Sequence, residues 1–539
     1  MNQTLEQKGI SEFMEMAGVG IPEGVFPVPA NAITYEDAAN IIFPVIAETK
    51  RIFMRDTQLC EIIEKEIDGA ILDTLSPERF VALIDSFGHK VKRREPKKIA
   101  GEKQQEIDRF DEFVWRKVNF PVNHAKTLFQ TDAARNTLPK ISRIISSPII
   151  VETSDGFTEI LQKGYHPHGG GTLITKGNNI PVISLDRAIS MLMSLLDDYN
   201  FSSPSDKSRA MASFISPALK FGDLLLGDYP IDLAEADQSQ SGKTYRQKNV
   251  CAIYGELPSV ITEPKGGVGS LDESISSALV KGKPFLTIDN LRSRLDSTIM
   301  ESATRGHGTV MARPPHKPST TIETRHYLWQ ISTNGAELTR DAANRCIVTK
   351  IVKRPTGAAF KTFPEGDLLQ HVKANQHIYL GAVFAIVREW VDRGKPRSDE
   401  NRHDFREWSQ SLDYIVTEIM GMPPLLDGHR DEQLRTANPD LQWLRSIALA
   451  VVRNRAGEEL SASMLAEIGT DEGIDFPPRR MTKENPSLIV GRIMGSIYKE
   501  TEGNLVKVDS GSISVSRIER EGRKDSGDWG MLKFYTFTR

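Results

Sequence analysis

Residues 236–244 read Ala-Asp-Gln-Ser-Gln-Ser-Gly-Lys-Thr, and residues 284–290, further along the chain, read Pro-Phe-Leu-Thr-Ile-Asp-Asn. The first stretch ends like a phosphate-binding loop, because backbone N–H groups and Lys243 suit phosphate oxygens and the Thr244 hydroxyl suits Mg²⁺. The second is an apolar strand that ends in an acid, and Asp289 is placed to hold the water shell of that ion. Gly-Lys-Thr alone occurs by chance, but the two stretches together predict a site for ATP and Mg²⁺.

The loop departs from the usual pattern G-x-x-x-x-G-K-[ST], because Asp237 stands at its leading position and Gly242 is its one glycine. Small or polar residues can still form a concave run of N–H groups. The alternative interpretation is a strand-to-helix turn capped by Ser241, without a nucleotide, and we favour the nucleotide site. The predicted phosphate contacts are Ser239, Gln240, Ser241, Gly242, Lys243, Thr244 and Tyr245, and the predicted metal ligands are Thr244 and Asp289.

Composition excludes several classes of protein. The chain has 539 residues, 39% of them hydrophobic and 26% charged, with a formal net charge of -4, as expected for a globular protein of roughly three or four domains. No run of apolar residues is long enough to predict a membrane span, and the N-terminus lacks the pattern of a secretory signal. Cys60, Cys251 and Cys346 lie far apart, which argues against a structural zinc and fits a cytoplasmic protein. The mild acidity argues against a protein that coats nucleic acid with one basic face.

Residues 206–355 alternate between helical and strand patterns, which predicts an α/β fold with a parallel sheet covered on both faces. The expected helices are 206–220, 243–250, 271–281 and 291–303, and the expected strands are 228–236, 284–289, 325–333 and 346–352. An apolar stripe that begins at Leu368 predicts helices over 366–455. The predicted domains are an N-terminal α+β domain with a basic linker (1–103), a segment before the core (104–205), the α/β core (206–365), a helical lid (366–455) and a C-terminal domain (456–539).

The C-terminal domain changes character. Helix patterns begin near Leu460 and Pro486, and strands follow at 505–508, 513–518 and 532–537, an arrangement typical of a winged helix. Residues 476–539 carry 12 lysines and arginines against 8 acidic residues, in contrast to the acidic whole. A DNA-binding module and a small docking domain remain alternative interpretations.

Two further basic stretches interrupt the chain. For residues 89–98 we favour a solvated loop over a nucleic-acid contact. Residues 305–317 form a Gly- and Pro-rich basic region that could line a channel, with an ordinary solvated loop as the alternative. The predicted DNA contacts are Arg305, Arg313, Lys317, Arg492 and Arg517. His166 and His168 lie in a glycine-rich turn without further ligands, so no metal is assigned to them.

Other residues complete a possible ATPase site. Asn334 follows a strand at the edge where ligands bind in open α/β sheets, and its amide could orient the attacking water. Arg340 or Arg345, with Arg345 preferred, could reach the γ-phosphate of a neighbouring subunit, although either could instead form a surface ion pair. Asn290 stands where many ATPases carry Glu, and an amide cannot act as a general base. Glu273 or Asp272 on the preceding helix could supply the acid.

The order of these motifs, from Ser241-Gly242-Lys243-Thr244 through Asp289-Asn290 and Asn334 to Arg340 and Arg345, resembles the AAA+/superfamily 3 helicase domains of phage, plasmid and genomic-island replication proteins, which are relatives of poxvirus-type primase-helicases. The resemblance covers roughly residues 104–539, and an Asp-Asn strand end is familiar in that family. It implies a P-loop AAA+ core, a helicase-associated segment over 104–205, a helical lid and a C-terminal winged helix.

The same resemblance implies an ATP-dependent DNA helicase or translocase without a recognisable primase. Such a protein would form a homo-oligomeric ring, expected to be hexameric, that binds ATP between subunits and threads DNA. Two alternatives remain. One is a P-loop ATPase that does not unwind DNA, such as an anti-phage defence NTPase, a loader or an assembly switch. The other is a DNA-binding scaffold with a decayed ATP site.

Overall fold

The structure is a computed structural model that describes residues 20–30, 33–66, 69–96, 113–177, 179–236, 241–262, 270–291, 295, 297–304, 308–315, 319–334, 338–355, 360–477, 480, 485–500, 505–508, 511–523 and 529–538. Within these ranges the fold is mixed α/β, and its largest sheet has five strands. No helix in the described ranges combines the length and apolar composition needed to cross a membrane.

In its described residues, the N-terminal unit contains two three-stranded sheets and four α-helices. In chain order its elements are β1 (Val25–Pro27), α1 (Tyr35–Glu48), β2 (Ile52–Arg55), β3 (Gln58–Lys65), β4 (Gly69–Thr74), α2 (Pro77–Ile84), β5 (Lys90–Pro96), β6 (Phe113–Lys117), α3 (Val122–Leu128) and α4 (Asp132–Thr137). Helix α2 begins as its sequence predicts, with the Ser76 side chain as N-cap and Pro77 in the first turn. The sheets have the orders β1-β5-β6 and β2-β3-β4.

The predicted solvated loop at residues 89–98 was wrong. Strand β5 occupies most of this stretch and lies between β1, with which it is parallel, and β6, with which it is antiparallel. Its apolar anchor is Val91, which is buried in the core of the N-terminal unit. The residues around Val91 are basic, so the local sequence does not show an apolar strand pattern. The strand forms because β5 pairs with β1 and β6, which are distant in sequence.

A connecting segment of short strands leads to the central sheet. It contains β7 (Arg143–Ile145), β8 (Ile149–Glu152), β9 (Thr158–Leu161), β10 (Gly164–His166), β11 (Thr172–Ile174) and α5 (Leu185–Ser194). Strand β8 pairs with β9 in an antiparallel arrangement. Strand β7 runs parallel to β11, so the glycine-rich turn beside His168 folds back on this segment.

The central unit confirms the predicted parallel sheet. Its elements are α6 (Pro204–Phe221), β12 (Ile231–Ala236), α7 (Lys243–Ile253), β13 (Ser259–Ile261), α8 (Leu271–Val280), β14 (Phe285–Leu291), α9 (Thr298–Ala303), β15 (Thr309–Ala312), β16 (Thr320–Glu323), β17 (Leu328–Thr333), α10 (Arg340–Asn344) and β18 (Cys346–Ile351). The sheet order is β13-β14-β17-β12-β18, and every neighbouring pair is parallel. The sequence did not predict β13 or the antiparallel hairpin β15–β16.

Alternating residues along each strand cover the two faces of this sheet. Phe285 and Leu328 pack in a core shared with α6, α7 and the helices that follow the sheet, whereas Leu286 and Trp329 pack in a second core with α8 and α9. Burial on both faces explains why the strands read as continuous apolar runs. The expected helix at 291–303 is shorter, because β14 continues through a bulge to Leu291 and α9 begins at Thr298.

Helices dominate the part of the chain after the sheet. They are α11 (Leu368–Ala374), α12 (Gln376–Asp392), α13 (Arg406–Tyr414), which continues into a π-helical segment (Ile415–Ile419), α14 (His429–Ala437) and α15 (Pro439–Asn454). The predicted apolar stripe is confirmed as core, since Leu380, Val383 and Ile386 are fully buried.

The C-terminal unit contains β19 (Leu460–Ser461), α16 (Ala462–Asp471), α17 (Pro486–Glu500), β20 (Leu505–Val508), β21 (Gly511–Arg523) and β22 (Trp529–Thr538). Its antiparallel sheet has the order β19-β22-β21-β20. Its core also includes Trp443, Leu444 and Ile447 from α15, so this helix packs with the unit that follows it.

One buried acid predicts a pH dependence of stability. The Glu256 carboxylate accepts a hydrogen bond of 2.5 Å from the Ser146 backbone N–H, and burial raises its pKa to about 7, against the opposing effect of Lys283. The folded protein therefore holds this proton to a higher pH than the unfolded chain does, and stability falls as the pH rises from about 4.5 to 7.

We expect Glu256→Gln to remove this contribution while keeping an oxygen that accepts from Ser146. The midpoint of thermal unfolding of the variant, relative to the wild type, should increase between about pH 4.5 and 7 and then level off. A difference that stays constant across this range, measured by calorimetry, would show that Glu256 is already ionised in the folded protein.

Candidate functional site

The strands that follow β12 in the sequence lie on both sides of it in the sheet. From this strand the chain passes through α7 to β13 at one edge of the sheet, whereas β17 leads through α10 to β18 on the other side of β12. Such a switch point leaves a crevice outside the carboxyl ends of the strands, where ligands bind in open α/β sheets. Residues 241–244, which follow β12, and the ends of β14 and β17 meet at this crevice.

Lys243 and Asn334 are brought together there. The Lys243 ammonium group donates a hydrogen bond of 2.5 Å to Oδ1 of Asn334, just beyond β17. Lys243 is 8% exposed, and burial lowers the pKa of its ammonium group, while the Asp289 carboxylate opposes this shift. A cation held in a confined crevice is suited to bind an anionic ligand.

Thr244, Asp289 and Ser332 form a second cluster. The Thr244 hydroxyl lies 2.8 Å from Oδ1 of Asp289 and 3.1 Å from the Ser332 hydroxyl, which itself donates to Asp289 at 2.6 Å. The Asn290 backbone N–H donates to the Ser332 hydroxyl at 2.8 Å. Ser332 therefore fixes the carboxylate of Asp289 and the backbone that follows it. A hydroxyl residue two positions before Asn334 could have indicated this role, but no role was predicted for Ser332.

Asn290 has a backbone role in this cluster. Its φ of 56° lies in the left-handed region, which Asn tolerates better than most residues. The bulge between Ile288 and Leu291 occurs here, and it turns the chain so that the Asn290 N–H faces Ser332. The structure thus gives a reason for Asn at this position that does not depend on acid or base chemistry.

Gly242 is required by the local backbone. Its φ is 95°, and a Cβ atom built there would lie 3.1 Å from the Tyr199 ring, so a side chain would meet both strain and crowding. The neighbouring Ser241 hydroxyl is buried and has no hydrogen-bond partner among the described residues. A buried polar atom of this kind suits a ligand that can exchange hydrogen bonds with it. Ser239 and Gln240, two predicted phosphate contacts, lie outside the described residues.

Two residues for which no role was predicted fix the helix that begins at Lys243 to the sheet. Arg246 is fully buried and forms a 2.5 Å ion pair with Asp232 of β12. Gln247 donates hydrogen bonds of 3.0 Å to the backbone carbonyls of both Asp232 and Ile331. Tyr245 turns toward α11, where its hydroxyl accepts from the Leu369 N–H at 2.7 Å. The spacing of one helical turn from Lys243 was the available signal for Gln247.

The two candidate arginines lie in different surroundings. Arg345 is 8% exposed, and its guanidinium donates to the backbone carbonyl of Glu301, to the Thr304 hydroxyl and to Asp341. These contacts lie within the chain and join α10 to α9. Arg340 is exposed at the start of α10.

Glu273 and Asp272 have structural partners. Glu273 completes a capping box at the start of α8, where its carboxylate accepts from the Ser270 N–H at 3.2 Å. Asp272 accepts hydrogen bonds from Ser297 and Thr298, which ties α8 to the start of α9. No contact between described residues joins Glu273 to the cluster around Asp289.

Three of the predicted DNA contacts lie among the described residues, on two different parts of the chain. Arg313 is exposed just after β15, Arg492 is exposed on α17, and Arg517 on β21 lies 3.3 Å from Glu519. Arg305 and Lys317 lie outside the described residues. The hairpin β15–β16 and the C-terminal unit therefore remain separate candidate surfaces.

The donor atoms of the cluster suit Mg²⁺. Thr244, Ser332 and Asp289 offer hydroxyl and carboxylate oxygens, and Mg²⁺ prefers oxygen ligands and retains several waters. Among the described residues, no group of three or more His, Cys, Asp or Glu side chains is arranged to hold a metal. His168 instead lies 3.0 Å from Asp223, which also pairs with the buried Arg143.

No protein-family model and no curated protein matches this chain. Among solved structures, it is similar to the apo C-terminal region of NrS-1, with 12% identity over 88% of this chain and 98% of that chain and a TM-score of 0.37. It is also similar to SCCmec type IV Cch, described as an active helicase, with 14% identity over 88% of this chain and 90% of that chain and a TM-score of 0.30. Likeness at these scores carries no conclusion about activity or partners.

We expect Arg345→Ala to destabilise the folded protein, because it removes several hydrogen bonds from a charged and nearly buried group. The expected loss is on the order of 3 kcal/mol in the free energy of unfolding. Arg340→Ala is the matched control, and as an exposed position it should change stability by about 0.5 kcal/mol or less. Urea titration of both variants measures this, and equal stabilities would show that the Arg345 contacts do not support the fold.

Proposed function

We propose that this chain is an ATP-dependent motor of helicase or translocase type that acts on DNA, with ATP and Mg²⁺ as its cofactors. The observation that carries the proposal is the convergence of Lys243 with Asn334 and of Thr244 with Ser332 and Asp289 at one switch point of the sheet. A cation, a hydroxyl, a carboxylate and an amide at the carboxyl ends of adjacent strands form the set that phosphoryl transfer requires.

The P-loop AAA+ assignment rests on the residues and on the sheet. The described Ser241-Gly242-Lys243-Thr244 turn joins β12 to α7, and one strand, β17, separates β12 from the strand that carries Asp289. Strand β17 leads to Asn334, so the amide lies between Lys243 and the strand that carries Asp289. A helical lid and a C-terminal unit of helices and a long β-ribbon accompany this core, as expected of an AAA+ protein with a winged helix.

Each residue has a distinct task in the proposed reaction. Bound Mg²⁺ would neutralise charge on the phosphate oxygens. Thr244 and Asp289 would hold the ion and its waters, and Ser332 keeps the Asp289 carboxylate in place. Lys243 would exchange its hydrogen bond with Asn334 for phosphate oxygens, which frees the amide to orient a water. Because an amide cannot take a proton, Asn334 serves as a positioning residue.

A ring would complete the site. The exposed Arg340 is the better candidate for an arginine that reaches a neighbouring subunit, since the contacts of Arg345 lie within its own chain. DNA would then pass through the ring, beside Arg313 and the hairpin β15–β16, while Arg492 and Arg517 would contribute through the C-terminal unit. The hexamer and the cytoplasmic location remain parts of this proposal.

We expect Lys243→Ala to abolish ATP turnover and leave the fold intact, because the lost cation contacts phosphate directly. Lys248→Ala is a matched control, since Lys248 is exposed on the same helix. Phosphate release, measured with and without single-stranded DNA, is the assay. Turnover by Lys243→Ala equal to that of the control would remove the phosphate-site assignment.

A mixture of variants tests the ring. Arg340→Ala should reduce hydrolysis by about 10³ and still bind ATP, because an arginine finger stabilises charge mainly in the transition state. Mixing it with Lys243→Ala should restore part of the activity, since some interfaces then combine an intact Lys243 with an intact Arg340. Rings shown by mass to be mixed yet inactive would contradict the trans role, and a monomer in the presence of ATP and DNA would contradict the ring.

Assays of ATP turnover, duplex separation and DNA binding distinguish two other functions. A P-loop ATPase that does not unwind DNA, such as a defence NTPase, a loader or an assembly switch, would hydrolyse ATP but leave a forked duplex intact. A DNA-binding scaffold with a decayed site would bind DNA and show no turnover. The single-glycine loop favours the decayed site, whereas the intact Lys243, Thr244 and Asp289 cluster favours hydrolysis.

A further inference from the structure

The turn between β2 and β3 of the N-terminal unit contacts the central unit directly. Its first residue, Arg55, is 5% exposed, and its guanidinium donates to the carbonyls of Leu279 and Val280 at the end of α8. The same guanidinium lies 2.8 Å from the Tyr327 hydroxyl, just before β17. Carbonyl groups at a helix end lack partners within the helix, so Arg55 acts as a C-terminal cap supplied by another unit.

Two side chains of this turn hold strand β16. The Gln58 amide nitrogen donates to the Ser319 carbonyl at 2.9 Å, and its amide oxygen accepts from the Thr320 hydroxyl at 2.8 Å. The Asp56 carboxylate accepts from the Thr321 backbone N–H at 3.3 Å. Gln58 and Asp56 thereby satisfy a carbonyl and an N–H on the edge of β16 that does not face β15.

The hairpin β15–β16 depends on such contacts. It has two strands of four residues, and an isolated two-stranded hairpin is marginally stable in water. Its inner side packs Val310, Ala312 and Ile322 into the core that contains α8 and α9. The free edge of β16 is held by the N-terminal turn, so the position of the hairpin is set by two units of the protein.

The N-terminal unit has its own attachment to the core, which does not involve Gln58. The Leu72 N–H of β4 donates to the Lys281 carbonyl at 3.0 Å, and Leu72 packs against Gly282, where a Cβ atom would lie 2.6 Å from its side chain. Loss of the Gln58 side chain should therefore release the hairpin edge and leave the unit docked.

The hairpin lies between two functional candidates. Arg313 follows β15, and β16 leads directly into β17, which ends beside Asn334. We infer that Asp56 and Gln58 are positioning residues, through which the N-terminal unit sets the position of the hairpin and hence its engagement of single-stranded nucleic acid. This inference rests on the proposed function, because it assumes that the hairpin contacts nucleic acid.

The test uses the full chain and an oligothymidine as probe. We expect Gln58→Ala to increase hydrogen exchange of the amides in residues 309–312 and 319–323 and to weaken oligothymidine binding by about fivefold, as expected for the loss of one or two hydrogen bonds. Its ATP turnover without nucleic acid should stay at the wild-type level. Gln130→Ala is the matched control, since the Gln130 side chain lies near Arg135 and not near the hairpin.

The partner residue supplies a second pair of variants. Thr320→Val removes the hydroxyl that donates to Gln58 and should reproduce part of the effects of Gln58→Ala, whereas Thr320→Ser keeps a hydroxyl and should show wild-type exchange and affinity. The double variant of Gln58→Ala and Thr320→Val should lose little more than Gln58→Ala alone, because the contact that Thr320→Val removes is already absent in Gln58→Ala.

The outcomes separate this inference from the proposed function. Faster exchange of the hairpin together with weaker binding, rescued in Thr320→Ser, supports the inference. Unchanged exchange in Gln58→Ala overturns it, and so does faster exchange with unchanged oligothymidine affinity. A wild-type protein that binds no oligothymidine and whose turnover is not changed by it overturns the proposed nucleic-acid function before any variant is compared.

Discussion

The buried ion pair between Arg246 and Asp232 is the constraint on which the site depends. Arg246 has no exposed surface, so its charge must be paired within the fold, and Asp232 at the second position of β12 supplies the partner. Removing one member of such a pair costs about 3–5 kcal/mol, because the other charge stays buried. The pair fixes the rotation of α7 relative to β12.

Gln247 extends the constraint to β17 through the carbonyl of Ile331. With the helix fixed in this way, Lys243 faces Asn334 and Thr244 faces Asp289.

The sequence predicted those helices and strands whose apolar residues follow a regular local pattern. Strands β12, β14, β17 and β18 are buried on both faces and read as apolar runs, and the polar residues that follow β12 and end β14 and β17 include most of the candidate site. Strand β13 has only three residues and alternates between buried and exposed positions, so it left no such run. Strand β5 and the hairpin β15–β16 are stabilised by partners distant in sequence, which a local pattern does not contain. The surroundings of Arg345 follow from the packing of α9 on α10, and no spacing in the sequence indicates that contact.

The two edges of the central sheet differ. Outward amides of β18 are satisfied by side chains from other elements: the Val348 N–H donates to His429 at 3.1 Å, and the Lys350 N–H donates to Asp206 at 2.8 Å. Burial lowers the pKa of His429 well below its usual range, so the ring stays neutral and can accept this hydrogen bond. Helices α14 and α6 therefore cover this edge. At the other edge, Val260 of β13 is 56% exposed and lines an open groove beside α8.

Strand β17 is the shortest covalent path between the hairpin and the crevice at Lys243. It has six residues, all buried, and at about 3.3 Å per residue it spans about 20 Å. The strand begins just after Tyr327, whose hydroxyl contacts Arg55, and Glu323 before it accepts a hydrogen bond from Ser142. At its other end the strand carries Ser332 and leads to Asn334. A strand that is hydrogen-bonded on both sides and close-packed on both faces has little room to bend. Strand β17 is therefore a rigid link between the hairpin and the contact of Lys243 with Asn334. The same strand that completes the site thus joins it to the surface where we propose that nucleic acid binds.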